Sequence, residues 1–379
     1  MTQILLIDDD SIFRMTLSRR LRHQGYEVST AADGKEGIEM AKQLRPALIL
    51  CDWAMPESNG LKVCRAIKSD PDLSTIFFIL LTAYGETSNR IQGFDTGADG
   101  FLSKPLNFHE LNAYIRAGLR INQLTQDLTA QKQTLEVQLT EGADYVRSLL
   151  PSPIKEPPLH VDTRFIPSIQ LGGDCFNFYQ LDPDYWAIYL LDVSGHGIGA
   201  AMHSVSVLNL LRSQSLPRVN YYQPNHVLTA LNEAFPMSDH NNRYFTIWYG
   251  VYNQTTRRLM YASAGHPPAV LISEQSSNNF ETQQLGQPGL PIGFFPNINF
   301  KNGFCDVAEG SNLYVFSDGI YEIQQSNGEM WSLDAFISLL VDYRKRQSLS
   351  LDEVLKHITS LNADNSFSDD LSLLEIQFD

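Results

Sequence analysis

Short apolar runs alternate with amphipathic stretches in the first third of the chain, and this alternation restricts the fold more than any other sequence feature. The runs are QILLI (3–7), GYEVSTA (25–31), ALILC (47–51), FFILLT (77–82) and GFLSK (100–104). Between them, SIFRMTLSRRLRHQG and GKEGIEMAKQLRP have the apolar spacing of helices. Strands that alternate with helices predict a parallel sheet covered on both faces. We therefore expect a doubly wound, five-stranded α/β domain over residues 1–120.

Polar side chains follow these strands at the edge where a parallel sheet binds ligands. Asp8 and Asp9 follow the first strand, Asp52 ends the third, Thr82 ends the fourth and Lys104 ends the fifth. Clustered carboxylates repel each other unless a cation joins them, and Mg²⁺ prefers a few carboxylates with water and phosphate. Asp52 is the candidate nucleophile, since carboxylates form acyl-phosphates. The alternative is that the aspartates after the first strand only cap the next helix.

The motifs LIDDDS, LILCDWAMPESNGL, LLTAYG and FLSKPL together resemble the receiver domain of two-component response regulators. The resemblance implies a flavodoxin-like fold and phosphorylation of Asp52 by a sensor histidine kinase. It implies a Mg²⁺ ion held by Asp8, Asp9 and Asp52, with a backbone carbonyl near Ala54. It also implies a switch pair and a lysine that contacts the phosphoryl group, which are Thr82, Phe101 and Lys104.

Residues 121–150 form a predicted helical linker without proline. Apolar residues recur here, and in the segment before it, mostly at spacings of three, four or seven: Leu111, Ile115, Leu119, Leu124, Leu128, Leu135, Leu139, Val146 and Leu149. This spacing predicts one or two long helices. They either form an intermolecular coiled coil, and therefore a homodimer, or pack on their own domain. Prolines at 151, 153, 157 and 158 end the helical segment.

From residue 160 onward the pattern is mostly that of strands. Candidates are YWAIYLLDV, YFTIWYGVYN, RRLMYASAG, AVLISE, NLYVFSDG and LSLLEIQF. Helical spacing occurs in GAAMHSVSVLNLLRSQ, QPNHVLTALNEAF, SLDAFISLLVDYRKRQ and SLDEVLKHITSL. The segment SEQSSNNFETQQ (273–284) is predicted to be a polar surface loop.

Aspartates stand at four strand edges in this second half. In LLDVSGHGIGAAM, Asp192 ends an apolar run, and burying a bare carboxylate there is costly unless something compensates it. Asp174 follows two glycines, Asp318 ends another strand, and Asp369 and Asp370 precede the last strand. Hard oxygen ligands without a Cys–His pattern favour a pair of Mg²⁺ or Mn²⁺ ions that activate a water molecule. Each motif taken singly is also an ordinary turn sequence.

The blocks RSLLPSPI, LGGDCFNFYQL, LLDVSGHGIGAAM, YASAGHPPAVL, LYVFSDGIYE and DDLSLLEI resemble the metal-dependent protein phosphatase 2C superfamily, in its SpoIIE-type serine phosphatase branch. The resemblance implies an antiparallel β-sandwich flanked by helices over residues 151–379. It implies that Asp192 bridges two or more Mn²⁺ or Mg²⁺ ions, with the Val193 carbonyl on one of them. Asp318 and Asp369 would complete the second ion, and Asp174 would serve the first. His196 is either a general acid or a structural turn residue.

Charge and composition restrict the partners. The chain of 379 residues has a net charge of −15, which argues against nucleic acid and anionic membranes as partners. Its four cysteines form no paired pattern, as is usual in a reducing compartment. Neither a secretion signal nor an apolar run of about 20 residues is present, so we expect a cytoplasmic protein.

The two halves together predict a response regulator that controls a phosphoserine/phosphothreonine protein phosphatase. The family resemblance implies that the substrate is an anti-sigma-factor antagonist in bacterial stress or developmental signalling. The alternative is a catalytically weak, phosphatase-like adaptor that binds a signalling partner. Such an adaptor is expected to lack several of the aspartates, whereas this chain has all of them.

Overall fold

A computed structural model describes residues 3–56, 58–83, 93–168, 171–239, 242–276, 279–325, 328–346, 350–362, 367 and 369–379. The chain forms two compact units, residues 1–136 and 137–379. No helix in the described ranges is long and apolar enough to cross a membrane.

The first unit contains a five-stranded parallel sheet with the strand order β2-β1-β3-β4-β5. Its strands are β1 (Gln3–Ile7), β2 (Glu27–Ala31), β3 (Leu48–Asp52), β4 (Phe77–Thr82) and β5 (Gly100–Ser103). Its first three described helices are α1 (Ser11–His23), α2 (Gly34–Leu44) and α3 (Gly60–Lys68). The predicted doubly wound α/β fold is confirmed.

Both faces of this sheet are buried, because successive side chains of each strand point to opposite sides. Leu5 and Ile49 belong to one apolar cluster, which includes residues of α2 and α3. Leu6 and Leu50 belong to the other, which includes residues of α1. Near-continuous apolar strands are the expected result of burial on both sides, and they explain why the sequence shows the sheet so clearly.

A single helix of 42 residues, α4 (Phe108–Leu149), follows the parallel sheet. Its first turns pack on the sheet through Leu111 and Ile115, which are fully buried. Near its other end, Val146 packs against Leu171 and Ala201 within the second unit. The sequence predicted either one or two long helices in this region, and the structure has one.

The second unit is a sandwich of two five-stranded antiparallel sheets, with orders β13-β10-β9-β8-β7 and β12-β11-β14-β15-β6. Its strands are β6 (Leu159–Ile166), β7 (Cys175–Asp182), β8 (Tyr185–Val193), β9 (Phe245–Asn253), β10 (Arg258–Ala264), β11 (Ala269–Ser276), β12 (Asn279–Leu285), β13 (Gly303–Asp306), β14 (Asn312–Phe316) and β15 (Leu371–Phe378). Its helices are α5 (Ile198–Arg212), α6 (Pro224–Ala234), α7 (Leu333–Lys345) and α8 (Leu351–Leu361).

Side-chain alternation along the strands builds the layers of this unit. In β8, Ile188 and Leu190 face the opposite sheet, where they join Leu313 and Leu374 in one core. The intervening residues, such as Tyr189, face outward into a second core that contains residues of α5 and α6. A third core joins the other sheet to α7 and α8. The predicted antiparallel β-sandwich flanked by helices is therefore confirmed.

The prediction of a polar surface loop over residues 273–284 is wrong. This segment belongs to the β11–β12 hairpin, in which Ile272 pairs with Thr282. β12 is an edge strand whose residues are mostly exposed until Leu285, which is buried. Backbone pairing stabilises such a strand without apolar alternation, so the sequence pattern did not reveal it.

The two sheets are also joined by Trp248, which is fully buried in the sandwich core. Its indole Nε1–H donates a hydrogen bond to the Leu285 carbonyl at 2.7 Å. We expect Trp248→Leu to lower the free energy of unfolding by about 3–5 kcal/mol, because it leaves a cavity and an unpaired carbonyl. Urea denaturation followed by far-UV circular dichroism measures the change. The control Phe295→Leu, at a side chain that is 52% exposed, should unfold like the wild type; equal losses in both variants would contradict the assignment.

Candidate functional site

The first candidate site lies where β1, β3 and β5 end in the parallel sheet. Lys104 Nζ lies 2.8 Å from Asp8 Oδ2 and 2.5 Å from Asp52 Oδ1. Burial raises the pKa of Asp52, while the hydrogen bond from Lys104 acts in the opposite direction. Burial lowers the pKa of Lys104, but hydrogen bonds to both carboxylates outweigh it and raise the pKa overall. The ammonium group therefore stays charged beside the candidate phosphorylation residue.

The other polar residues after β1 and β4 have different roles. Asp10 caps α1, since its carboxylate accepts hydrogen bonds from the backbone N–H groups of Ile12 and Phe13. Asp9 is exposed and Asp8 is fully buried, so the capping alternative applies to Asp10 alone. Thr82 is buried, and its carbonyl accepts a hydrogen bond from the Lys104 N–H at 2.7 Å.

Phe101, the predicted switch residue, points into the receiver core and is 3% exposed. Its ring packs edge-on against Phe94, with 4.8 Å between the ring centroids. A Cβ atom at Gly93 would collide with the Phe101 ring, so glycine is required at that position for this rotamer. In the pairing of β4 with β5, Thr82 is opposite Ser103, two residues beyond Phe101.

The second candidate site combines strand ends from both sheets of the sandwich. Asp192 lies near the end of β8, and Asp174 precedes the neighbouring strand β7. Asp318 follows β14 and Asp369 precedes β15 in the other sheet, where the pairing of Phe316 with Leu373 brings the two chain segments together. Residues nearly 200 positions apart therefore meet at one end of the sandwich.

These carboxylates act on one another electrostatically. Burial, followed by the charges of Asp318 and Asp369, raises the pKa of Asp192 to about 8. Burial and neighbouring acids, Asp369 among them, raise the pKa of Asp318 to about 6. Burial and the charge of Asp192 raise the pKa of Asp174 well above its ordinary value. Burial is the largest cause of each of these three shifts.

Several carboxylate oxygens of this cluster are buried and lack a partner with good hydrogen-bond geometry among the described residues. Asp174 is fully buried, and among the described residues neither of its carboxylate oxygens has a partner with good hydrogen-bond geometry. The hydroxyl groups of Ser317 and Ser372 act to lower its pKa, but burial outweighs them. Asp318 Oδ1 is also buried and has no hydrogen-bond partner among the described residues. No group of three or more His, Cys, Asp or Glu side chains in the described ranges is arranged so that it could hold a metal ion. Hard cations with additional carbonyl and water ligands fit such a set of carboxylates.

Asp370 positions the glycine turn rather than facing the cluster freely. Its carboxylate accepts hydrogen bonds from Ser168 N at 2.8 Å, Ser168 Oγ at 3.1 Å and Gly173 N at 2.5 Å. A Cβ atom at Gly172 would strike this carboxylate, and one at Gly173 would lie 2.6 Å from the Val193 carbonyl oxygen. The sequence analysis treats Asp370 only as one of two aspartates before the last strand, and it missed these hydrogen bonds to the glycine turn.

The turn after Asp192 is open on its outer side. Gly195 and Gly197 have φ angles of 86° and 81°, which disfavour other residues, and no heavy atom lies within 4 Å of a Cβ built on either. His196 between them is exposed. The turn therefore leaves its backbone accessible immediately beside the carboxylate cluster.

His266 supports the strand next to Asp192. It is 5% exposed, and its Nδ1 lies 2.7 Å from Thr246 Oγ1. Thr246 is the residue opposite Asp192 in the pairing of β8 with β9. Burial lowers the pKa of His266 to about 3, so the ring is neutral at physiological pH. His266 therefore acts as a buried packing residue that contacts the strand next to Asp192.

Comparison with known families gives two matches. Residues 182–379 match the family model for Stage II sporulation protein E (SpoIIE), and residues 4–116 match the response regulator receiver domain. The chain belongs to the SpoIIE family. The SpoIIE match covers more than half of the chain and includes Asp192, Asp318 and Asp369. The receiver match includes Asp52 and Lys104.

Two curated relatives each match about a third of this SpoIIE-family chain. The transcriptional regulator RpaA of Synechocystis is 42% identical over 120 residues, which are 32% of this chain and 50% of RpaA. The response regulator ArlR of Staphylococcus aureus is 35% identical over 153 residues, 37% of this chain and 68% of ArlR. The chain spans about half the length of most curated relatives it matches.

Among solved structures, the SiaA-PP2C domain of Pseudomonas aeruginosa covers 66% of this chain and 99% of its own, with a TM-score of 0.57 and 18% identity. At this identity the match shows a shared fold. The β-sandwich of this SpoIIE-family chain is therefore a PP2C-type fold, as the sequence motifs predicted.

The raised pKa values predict a pH-dependent affinity for metal ions. Protons occupy Asp192 below about pH 8 and Asp318 below about pH 6, and a cation must displace them. We therefore expect the affinity for Mn²⁺ to rise from pH 6 to pH 8 and binding to release protons. Calorimetric titration with Mn²⁺ in buffers of different ionisation enthalpy measures both effects. Asp192→Asn should weaken Mn²⁺ binding and reduce its dependence on pH. Equal Mn²⁺ affinity of the wild type at pH 6 and pH 8 would contradict a role of these carboxylates in metal binding.

Proposed function

We propose that this response regulator, which carries a phosphatase-family domain, is a metal-dependent phosphoserine/phosphothreonine protein phosphatase controlled by phosphorylation of Asp52. The observation that carries the proposal is the buried Asp174 carboxylate, whose oxygens have no partner with good hydrogen-bond geometry among the described residues and whose pKa the charge of Asp192 raises further. Structural carboxylates are normally paired when buried, so this arrangement favours a cation-binding role.

In the proposed phosphatase site, Asp192 and the Val193 carbonyl contribute to the first ion, with Asp174 beside them. Asp318 and Asp369 would be the ligands of the second ion. When bound, Mn²⁺ or Mg²⁺ lowers the pKa of water and neutralises the phosphate. Hydrolysis adds water across the P–O bond of the ester, so the products are the free hydroxyl side chain and inorganic phosphate. The hydrogen bond from Gly173 N to the Asp370 carboxylate keeps the segment before β7 close to Val193.

In the proposed receiver site, Asp8, Asp9 and Asp52 hold Mg²⁺. A phosphohistidine of the sensor kinase transfers its phosphoryl group to the Asp52 carboxylate. Lys104 already contacts Asp52 and Asp8, so its ammonium group is in place to contact that phosphoryl group. The remaining switch residues, Thr82 and Phe101, would repack in response.

The proposed route of control is the continuous helix α4. Its middle part exposes Ile121, Leu124, Leu128 and Leu135, most of them related by steps of seven residues. Such an exposed stripe is typical of a coiled-coil seam, which supports the proposed homodimer. At its end, Val146 contacts segments on either side of the candidate metal ligands, namely Leu171 and α5. Realignment of the helix would thus change the metal site.

The remaining assignments are also proposals. The domain bounds of 1–120, 121–150 and 151–379 and the cytoplasmic location stay predictions. The substrate is proposed to be a phosphorylated anti-sigma-factor antagonist, and neither nucleic acid nor a membrane is a proposed partner. The acidic charge of −15 supports a protein substrate over a polyanionic one.

Asp192→Ala should abolish hydrolysis of p-nitrophenyl phosphate in the presence of Mn²⁺, with a loss of about 100-fold or more, because the proposed ions lose their shared ligand. Asp306→Ala, at an exposed residue of the edge strand β13, is the matched control and should retain full activity. Release of nitrophenol is followed by absorbance. Metal-dependent hydrolysis that survives in Asp192→Ala would refute the assignment, and an inactive wild type that still binds a protein partner would favour the adaptor.

Control by the receiver predicts a difference between wild type and Asp52→Asn under a small-molecule phosphodonor. Acetyl phosphate should change the hydrolysis rate of the wild type and leave Asp52→Asn unchanged, because only the carboxylate forms an acyl-phosphate. Asp33→Asn, at an exposed helix cap of the same unit, should respond like the wild type. Identical responses of the wild type and Asp52→Asn would show that the receiver does not control catalysis.

A further inference from the structure

Arg243 lies beside the open turn of the candidate phosphatase site without an ionic partner. It precedes β9 by two residues and is half-buried. No described residue forms a hydrogen bond or an ion pair with its guanidinium group. Because this chain has 43 acidic and 28 basic residues, most half-buried arginines would be expected to find a carboxylate.

Two hydrogen bonds hold the residue after Arg243 against the turn, one between backbone groups and one from a backbone N–H to a side chain. Ser194 N donates to the Tyr244 carbonyl at 2.9 Å, and Tyr244 N donates to Ser194 Oγ at 3.1 Å. Ser194 directly follows Val193, and Tyr244 directly follows Arg243. The backbone next to Arg243 is therefore held against Ser194, which is two positions after Asp192.

The side chain of Arg243 lies over the first turn of α5. A Cβ atom at Gly199 would lie 2.6 Å from Arg243 Nη2 and 2.7 Å from both Cζ and Nη1. A side chain at position 199 would therefore displace the guanidinium group from this place. Gly199 has no left-handed backbone angle that would require glycine, and the guanidinium group is the flexible end of its side chain, so alanine at this position should move Arg243 without disturbing the backbone.

The part of α5 next to the guanidinium group carries no negative charge. The first turn of α5 contains no acidic residue, and its N-cap, Gly197, offers no side-chain acceptor. The positive end of a helix dipole and a positive side chain therefore lie together, which is unfavourable until an anion joins them. A planar guanidinium group can donate two parallel hydrogen bonds to a phosphate.

We propose that Arg243 binds the terminal oxygens of the substrate phosphate. This inference rests on the proposed phosphatase function and deepens it, because it names the side chain that recognises the substrate. The aspartate cluster alone repels a phosphate dianion, whereas Arg243 supplies a positive charge that belongs to the protein and remains after metal removal. A phosphate monoester presents three terminal oxygens, two of which can accept parallel hydrogen bonds from the guanidinium group.

The test compares Arg243→Met, Arg243→Lys and Gly199→Ala with the wild type in the full-length chain. Gly199→Ala adds a Cβ atom that displaces the guanidinium group, while alanine otherwise favours a helix. The matched control is Arg258→Met, at an exposed arginine on β10 whose guanidinium group lies over Phe304. Calorimetry measures the dissociation constant of inorganic phosphate and that of Mn²⁺. Kinetics with p-nitrophenyl phosphate and Mn²⁺ give KM and kcat.

Arg243→Met should raise both the phosphate dissociation constant and KM by about tenfold, as loss of a charge-assisted hydrogen-bonded pair predicts. Gly199→Ala should shift both in the same direction, and Arg243→Lys should recover part of the loss. Mn²⁺ binding and thermal stability should stay unchanged in these variants, and Arg258→Met should behave like the wild type.

Unchanged phosphate binding in Arg243→Met would overturn the inference, as would a wild type that does not bind phosphate. A wild type that hydrolyses nothing, yet binds phosphate through Arg243, would instead refute the proposed phosphatase function and leave the anion-binding role standing. A collapse of Mn²⁺ binding in Arg243→Met would show a structural role in place of substrate recognition.

Discussion

The mutual repulsion of buried carboxylates is the constraint on which the second half of this chain depends. Asp174 and Asp192 are held together at adjacent strand edges, and burial, together with the charges of neighbouring aspartates, raises the pKa of both carboxylates. Folding brings these groups together because the sandwich core around them is large and apolar. The core thereby supports an arrangement of carboxylates that would be unfavourable on its own, and the proposed divalent cations would relieve it.

The receiver site solves the same electrostatic problem differently. There, Lys104 contacts both Asp8 and Asp52, so a positive side chain is already present between the carboxylates. In the sandwich, no described lysine or arginine forms an ion pair with the aspartate cluster, and glycines bring the backbone close instead. This difference is consistent with the proposed roles, in which the first site would accept a phosphoryl group and the second would bind divalent cations.

Sequence reasoning located both sites because strand ends are readable from apolar runs. The β8 strand and Asp192 were predictable from YWAIYLLDV, which alternates between two cores. Adjacent aspartates were harder to assign. Asp369 and Asp370 have the same side chain, and only the fold shows that Asp370 accepts three hydrogen bonds while Asp369 is exposed. Likewise, β12 could not be predicted, because an edge strand is defined by backbone pairing with its neighbour.

A crystal structure of the full chain grown with Mn²⁺, with anomalous scattering measured at the manganese edge, tests the central claim most directly. Anomalous peaks should lie between the two sheets' strand ends, one in contact with the Asp192 carboxylate and the Val193 carbonyl and another in contact with Asp318 and Asp369. Manganese bound only elsewhere, with the Asp174 carboxylate still buried and unpartnered, would contradict a metal-dependent active site in this fold.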